Sequence, residues 1–167
     1  VGTNHGTFVG NSTTSSAGKF GAALSFTGVR SDYLDLGSGS SLNVSGSSTW
    51  STWFNASYPS MGAYLISDFD RIGDVSQGAL YVVGNQLGWH QTTNVLDPYG
   101  PGNGSILSSN TTTTYSTNQW NHVAVVRDDV AKTVTLYLNG TAIGSSSYSG
   151  TVVSLQGSKR LGATGLF

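Results

Sequence analysis

Apolar residues in this chain recur at every second position, and no segment repeats them at 3.6-residue spacing between helix caps. A half-buried β-strand imposes that period of two, because successive side chains leave the strand on opposite faces. Asn121–Arg127 (NHVAVVR) and Thr133–Leu138 (TVTLYL) carry the pattern most strongly. The pair Asn139-Gly140 then supplies the positive-φ turn that opens a hairpin into Thr141–Gly144. Shorter copies lie at Gly21–Thr27 (GAALSFT), Asp32–Leu36 (DYLDL), Thr49–Asn55 (TWSTWFN), Ala63–Asp68 (AYLISD) and Ala79–Val83 (ALYVV). Gln86–Gln91 follows the tight-turn pair Gly84-Asn85, and Thr151–Leu155 and Arg160–Ala163 complete the predicted strands. About ten short strands with turn signals between them predict an all-β fold, a sandwich or jelly roll with essentially no α-helix.

Composition agrees and removes several function classes. Only 9% of the 167 residues are charged, and Gly, Ser, Thr and Asn fill much of the remainder. Ser, Thr and Gly disfavour helix interiors, whereas Thr, Val, Tyr and Trp suit strands. The net charge of -1 and the scatter of seven basic residues argue against a nucleic-acid partner, which needs clustered Lys and Arg. No apolar run is long enough for membrane insertion as a helix. There is no Cys, so neither a disulfide nor a thiolate metal site is available. There is also no Glu; the eight acidic residues are all Asp.

Two segments depart from the strand pattern. Asp97–Gly104 (DPYGPGNG) reads as an irregular loop, because Pro98 and Pro101 deny ladder hydrogen bonds. Ser108–Thr117 (SSNTTTTYST) is polar and of low complexity, and reads as an exposed edge strand or a loop. Six Asn-X-Ser/Thr sequons, at Asn11, Asn43, Asn55, Asn103, Asn110 and Asn139, follow from a composition rich in these residues.

Several spaced motifs resemble one family. Asn4-His-Gly-Thr-Phe8, Ala17-Gly-Lys-Phe-Gly-Ala-Ala-Leu-Ser-Phe-Thr-Gly28 and Asp32-Tyr-Leu-Asp-Leu36 look like the opening of a laminin-G-like jelly roll of the concanavalin A-like lectin/glucanase superfamily. Thr49-Trp-Ser-Thr-Trp-Phe54 is similar to its next signature strand. Gln119-Trp-Asn-His-Val-Ala-Val-Val-Arg-Asp128, Val134-Thr-Leu-Tyr-Leu-Asn-Gly140 and Arg160-Leu-Gly-Ala163 resemble its later strands, in the same order. The resemblance implies a two-sheet antiparallel sandwich, read as a single domain over residues 1–167 within a longer polypeptide. It also implies that the family's first and last strands are missing here. A bare sheet edge is then expected beside Phe8 and Leu161, for another segment or a neighbouring subunit to cover.

Glycosidases of this superfamily carry paired carboxylates on a Glu-x-Asp-x-x-Glu strand, and a chain without Glu cannot hold that motif. The expectation is a non-catalytic binding or adhesion module, with carbohydrate as ligand, on an extracellular, cell or virion surface. A structural domain of a virion fibre or surface assembly is the alternative. Trp89, His90, Gln91, Asn94, Asp97 and Tyr99 combine aromatic rings with hydrogen-bonding groups and form the candidate sugar site; a Trp89 packed between sheets is the competing reading. Asp68, Asp70 and Asp74 gather three carboxylates in one loop and form the candidate calcium site, or a solvated turn in which Asp bonds its own backbone.

Overall fold

The computed structural model describes residues 5–29, 31–57, 62–69, 78–91, 93, 113–152 and 157–164. The early strands are β1 (Thr7–Val9), β2 (Thr13–Ser15), β3 (Ala23–Ser25), β4 (Tyr33–Asp35), β5 (Ser48–Asn55) and β6 (Ala63–Phe69). They are followed by β7 (Ala79–Val83), β8 (Gln86–His90), β9 (Trp120–Asp128), β10 (Thr133–Leu138), β11 (Thr141–Ser147) and β12 (Ser158–Thr164). A single 3-10 turn at Ser40–Leu42 is the helical content among the described residues. All pairings are antiparallel. A six-stranded sheet in the order β1-β4-β12-β6-β7-β8 faces a four-stranded sheet in the order β11-β10-β9-β5, while β2 and β3 form a separate ribbon. This is the all-β jelly-roll sandwich expected from the alternation.

Register determines what each sheet buries, since directly paired residues share a face. One row crosses the six-stranded sheet as Phe8, Leu34, Leu161, Ile66, Leu80 and Trp89. On the opposing sheet, Trp50 pairs with Val125 and Val125 with Leu136. These inner faces meet in one core containing Leu80, Val82, Leu87, Trp89, Val123, Val125, Val134 and Leu136. The Trp89 indole is fully buried and meets Trp50 edge-on at 5.3 Å. Its N–H donates to Gln91 Oε1 at 3.0 Å, which satisfies a polar group that burial would otherwise leave costly. Each Val or Leu so buried stabilises the fold by roughly 1.5–3 kcal/mol.

Three polar ties hold the loops to this frame. Arg127 is 2% exposed; its Nε donates to Gly46 O at 2.7 Å and its Nη2 to Val44 O at 2.8 Å. Burial lowers its pKa, while the nearby Tyr148 and Asp129 act in the opposite direction. Asn121 donates to the carbonyls of Ser116 and Gln119 at 2.8 and 2.9 Å. Tyr115 is buried, and its N–H and hydroxyl donate to Asn85 O and Gly84 O, both at 2.9 Å.

Of the two readings of Ser108–Thr117, the loop holds for residues 113–117, where Tyr115 pins the segment to the β7–β8 turn; residues 108–112 lie outside the described residues. Two other sequence expectations change. Thr151 and Val152 are not in a strand, and residues 153–156 also lie outside them. Leu161 is not at a sheet edge, because β12 runs between β4 and β6, whereas Phe8 does lie on the edge strand β1. The short strands β1 and β2 went unread because no alternating run surrounds them, whereas β3 and β4, equally short, sit inside longer alternating segments.

Replacing Trp89 with Ala empties the centre of the core and leaves Gln91 without its donor. The expected loss is about 3–5 kcal/mol in chemical denaturation. Val130→Ala, at a residue 93% exposed, is expected to leave the midpoint unchanged.

Candidate functional site

The row adjacent to the buried one faces outward. It crosses the same six strands as Thr7, Asp35, Arg160, Ser67, Ala79 and His90. The inner row is wholly apolar; this one carries a carboxylate, a guanidinium, two hydroxyls and an imidazole. Toward β6 and β7 the outer face is closed, with Ser67 and Ala79 buried and Tyr64 and Tyr81 meeting edge-on at 6.1 Å. Gly88 permits that closure, since a Cβ there would stand 2.3 Å from the Tyr81 ring. Burial pushes the Tyr81 phenol above its ordinary pKa, so it stays neutral.

Toward β1 the face opens into a cavity of about 420 Å³, within the ~300–1,000 Å³ span of small-ligand sites. It is lined by His5, Thr7, Val9, Asp35, Ser38 and Ser158, with Thr7 and Asp35 paired side by side on the sheet. Asp35 Oδ1 accepts the Gly37 N–H at 2.7 Å and the Ser158 hydroxyl. Both bonds fall on the same oxygen, so the carboxylate is oriented while Oδ2 meets no donor among the described residues. Beside it, the Arg160 guanidinium stacks 4.3 Å from the centre of the Tyr33 ring, a cation–π contact that presents a flat, polar-edged surface.

Asp32 holds the turn that follows β1. It is 1% exposed; Oδ1 accepts the Asn11 N–H at 2.9 Å and Oδ2 the Thr27 hydroxyl. Gly10, with φ of +70°, gives the room, because a Cβ there would sit 2.2 Å from Asp32 Oδ1. Ser12 donates to Val9 O at 2.6 Å and Tyr33 O at 3.0 Å, tying the same turn to β4.

Two of the candidate sugar residues lie in the core. Trp89 and Gln91 are both 0% exposed and belong to the core, so the expectation that they meet ligand is corrected. His90, between them in sequence, projects to the outer face by alternation and stands at the far end of the polar row. Burial holds its imidazole below the ordinary value, so it is neutral at pH 7. Asn94, Asp97 and Tyr99 lie outside the described residues. Asp68 is fully buried with Lys159 Nζ 2.9 Å from its Oδ1, so the cation it holds is the chain's own ammonium. Lys159 also donates to Asn43 Oδ1 at 2.6 Å and Gly157 O at 3.1 Å. Asp70 and Asp74 lie outside the described residues. His5, Asp35, Ser158 and the Arg160–Tyr33 stack went unread. The alternation in DYLDL does put Tyr33 and Asp35 on one face, but only the non-local pairing with β1 and β12 makes that face a site.

A laminin-G family profile, described as the concanavalin A-like lectin/glucanases superfamily, matches residues 27–165. The chain belongs to that superfamily. The binding domain of Paraclostridial Mosquitocidal Protein 1 superposes with a TM-score of 0.72 at 16% identity, over 97% of this chain and 40% of that one. Domain 4 of an extracellular arabinanase from Geobacillus stearothermophilus, in complex with arabinotriose, gives 0.62 at 18% identity over 93% and 72%. The endo-β-1,4-glucuronan lyase of the fungus Trichoderma reesei gives 0.61 at 14% identity over 97% and 80%. These likenesses are of fold, and this chain spans less than half of the mosquitocidal binding domain. A search of curated protein sequences finds no match. No helix among the described residues is long and apolar enough to cross a membrane.

The Asp32 carboxyl is held below its ordinary value of 3.8 chiefly by the Thr27 hydroxyl and then by the Asn11 N–H. Asp129 is held below the same value by Tyr148 and then Lys132. Both groups bind protons less readily folded than unfolded, so their stabilisation is full above the unfolded value and is lost as pH falls through the folded one. The melting temperature is expected to drop below about pH 4, and Asp32→Asn is expected to flatten that drop while lowering the neutral-pH value. Melting curves across pH 2–7 check both.

Proposed function

We propose that this domain is a non-catalytic carbohydrate-binding module of an extracellular or surface-exposed protein, with its site in the cavity between β1, β4 and β12. One observation carries the reading: a cavity of about 420 Å³ lined by an oriented carboxylate, an imidazole and hydroxyl groups, beside the Tyr33–Arg160 stack. Sugar hydroxyls donate well to a fixed carboxylate, and the C–H face of a pyranose packs on a flat ring or guanidinium plane. Among the described residues the cavity is lined by a single carboxylate, Asp35. Hydrolysis by the paired-carboxyl route needs two facing each other. The arabinotriose-bound domain among its structural neighbours supports a glycan ligand for the same architecture.

A glycan array followed by calorimetry on the best-bound oligosaccharide tests the reading. Asp35→Asn keeps the Oδ1 acceptor for Gly37 and Ser158 but loses the charge; it is expected to weaken binding at least tenfold, about 1.4 kcal/mol. His5→Ala is expected to weaken it severalfold, and neither change should move the melting temperature appreciably. Binding unaffected by both substitutions overturns the site. Failure to bind any glycan, together with ordered self-association, favours the structural-assembly alternative.

A further inference from the structure

The outer face of the four-stranded sheet carries a feature that neither the core nor the cavity uses. Trp53 projects outward from β5, opposite its cross-strand partner His122, with ring centres 5.2 Å apart. Phe20, from the β2–β3 connection, meets the Trp53 ring edge-on at 5.8 Å. Lys19 Nζ lies 5.1 Å from the Trp53 ring centre and 6.0 Å from that of Phe20. Packing alone does not account for the group: Phe20 remains 76% exposed and Trp53 39%. Trp120, Ala124, Val126 and Tyr137 share this outer face but are half-buried; the large rings left open at Phe20 and Trp53 mark an interaction surface.

We propose that Phe20, Trp53, His122 and Lys19 form a second binding site, for a pyranose bearing a carboxylate or sulfate. The exposed rings supply a platform for the C–H face of the sugar. The ammonium, held at the platform by cation–π attraction, supplies a counter-charge for the anionic substituent. Charge complementarity favours an anionic occupant over a neutral one. The acidic residue on this sheet's outer face, Asp128, stands six residues further along β9, roughly 20 Å at the rise of a strand. Its carboxylate is engaged by the Val130 and Ala131 N–H groups at 2.9 Å. Asn55, exposed on β5 two residues from Trp53, adds an amide for ring hydroxyls. The site lies on the opposite sheet from the cavity and does not rest on the reading of it.

The test is an NMR titration of the full chain, following the indole N–H signals, with tetragalacturonate, a heparin-derived tetrasaccharide and neutral cellotetraose. The Trp53 signal is expected to move with one or both acidic tetramers, at an affinity at least tenfold above that for cellotetraose. Phe20→Ser, at a residue 76% exposed, is expected to abolish the shift without changing the fold. Trp53→Ala, which removes the reporter itself, is expected to abolish acidic-tetramer binding measured by calorimetry. Lys19→Gln is expected to weaken acidic binding at least fivefold and to reduce its salt dependence. Asp35→Asn is expected to leave this binding intact, which separates it from the cavity. The proposal is overturned if millimolar acidic tetramer leaves the Trp53 signal unmoved, or if Phe20→Ser binds like the parent. It is equally overturned if the patch engages only anionic vesicles, or only a second copy of the chain in sedimentation.

Discussion

The edge-on contact of Trp50 with Trp89 is where the two sheets are joined, and much else depends on it. Each indole comes from a different sheet, and between them they determine which face of β5 and which face of β8 is inside. A strand has no third option: with Trp50 inward Trp53 is outward, and with Trp89 inward His90 is outward. Those two outward residues stand on the two surfaces described above. Core and surface thus come from a single choice of parity, made on each sheet by a tryptophan.

Most of the fold was legible because alternation is local. β7 and β10 were bounded to the residue, and β5, β6, β8 and β9 to within a residue or two. What escaped notice was short or non-local. The strands β1 and β2 lie outside any alternating run, unlike the equally short β3 and β4, and the place of β12 between β4 and β6 is a matter of topology. The polar segment around Tyr115 looked unstructured because its ties are to backbone groups thirty residues away, which composition does not display.

The site was less legible, for a related reason. Trp89, His90 and Gln91 attracted a binding reading because they mix a ring with hydrogen-bonding groups. Consecutive residues of a strand cannot share a face, and the indole N–H takes its partner from Gln91 inside the core. The partner of Asp68 was not legible, because Lys159 lies over ninety positions away and meets it only across the β6–β12 ladder. Asp35 and Arg160 looked unremarkable as single letters. They acquire meaning only when antiparallel pairing sets them side by side with Thr7.

The polar row across the six-stranded sheet has a consequence for how such a domain can diversify. Each of six strands contributes one outward residue to it, while the adjacent inward row is entirely apolar. The two rows are made by different codons on the same strands, so outward letters at the open end can be rewritten without disturbing the inner core, whereas Ser67 and Ala79 are themselves packed. Near β1 and β4, where the face is open, Thr7 and Asp35 are the letters freest to change. Lineages sharing this core can therefore drift to new ligands by point substitution, and a library randomised at those outward positions would explore recognition while leaving the scaffold intact.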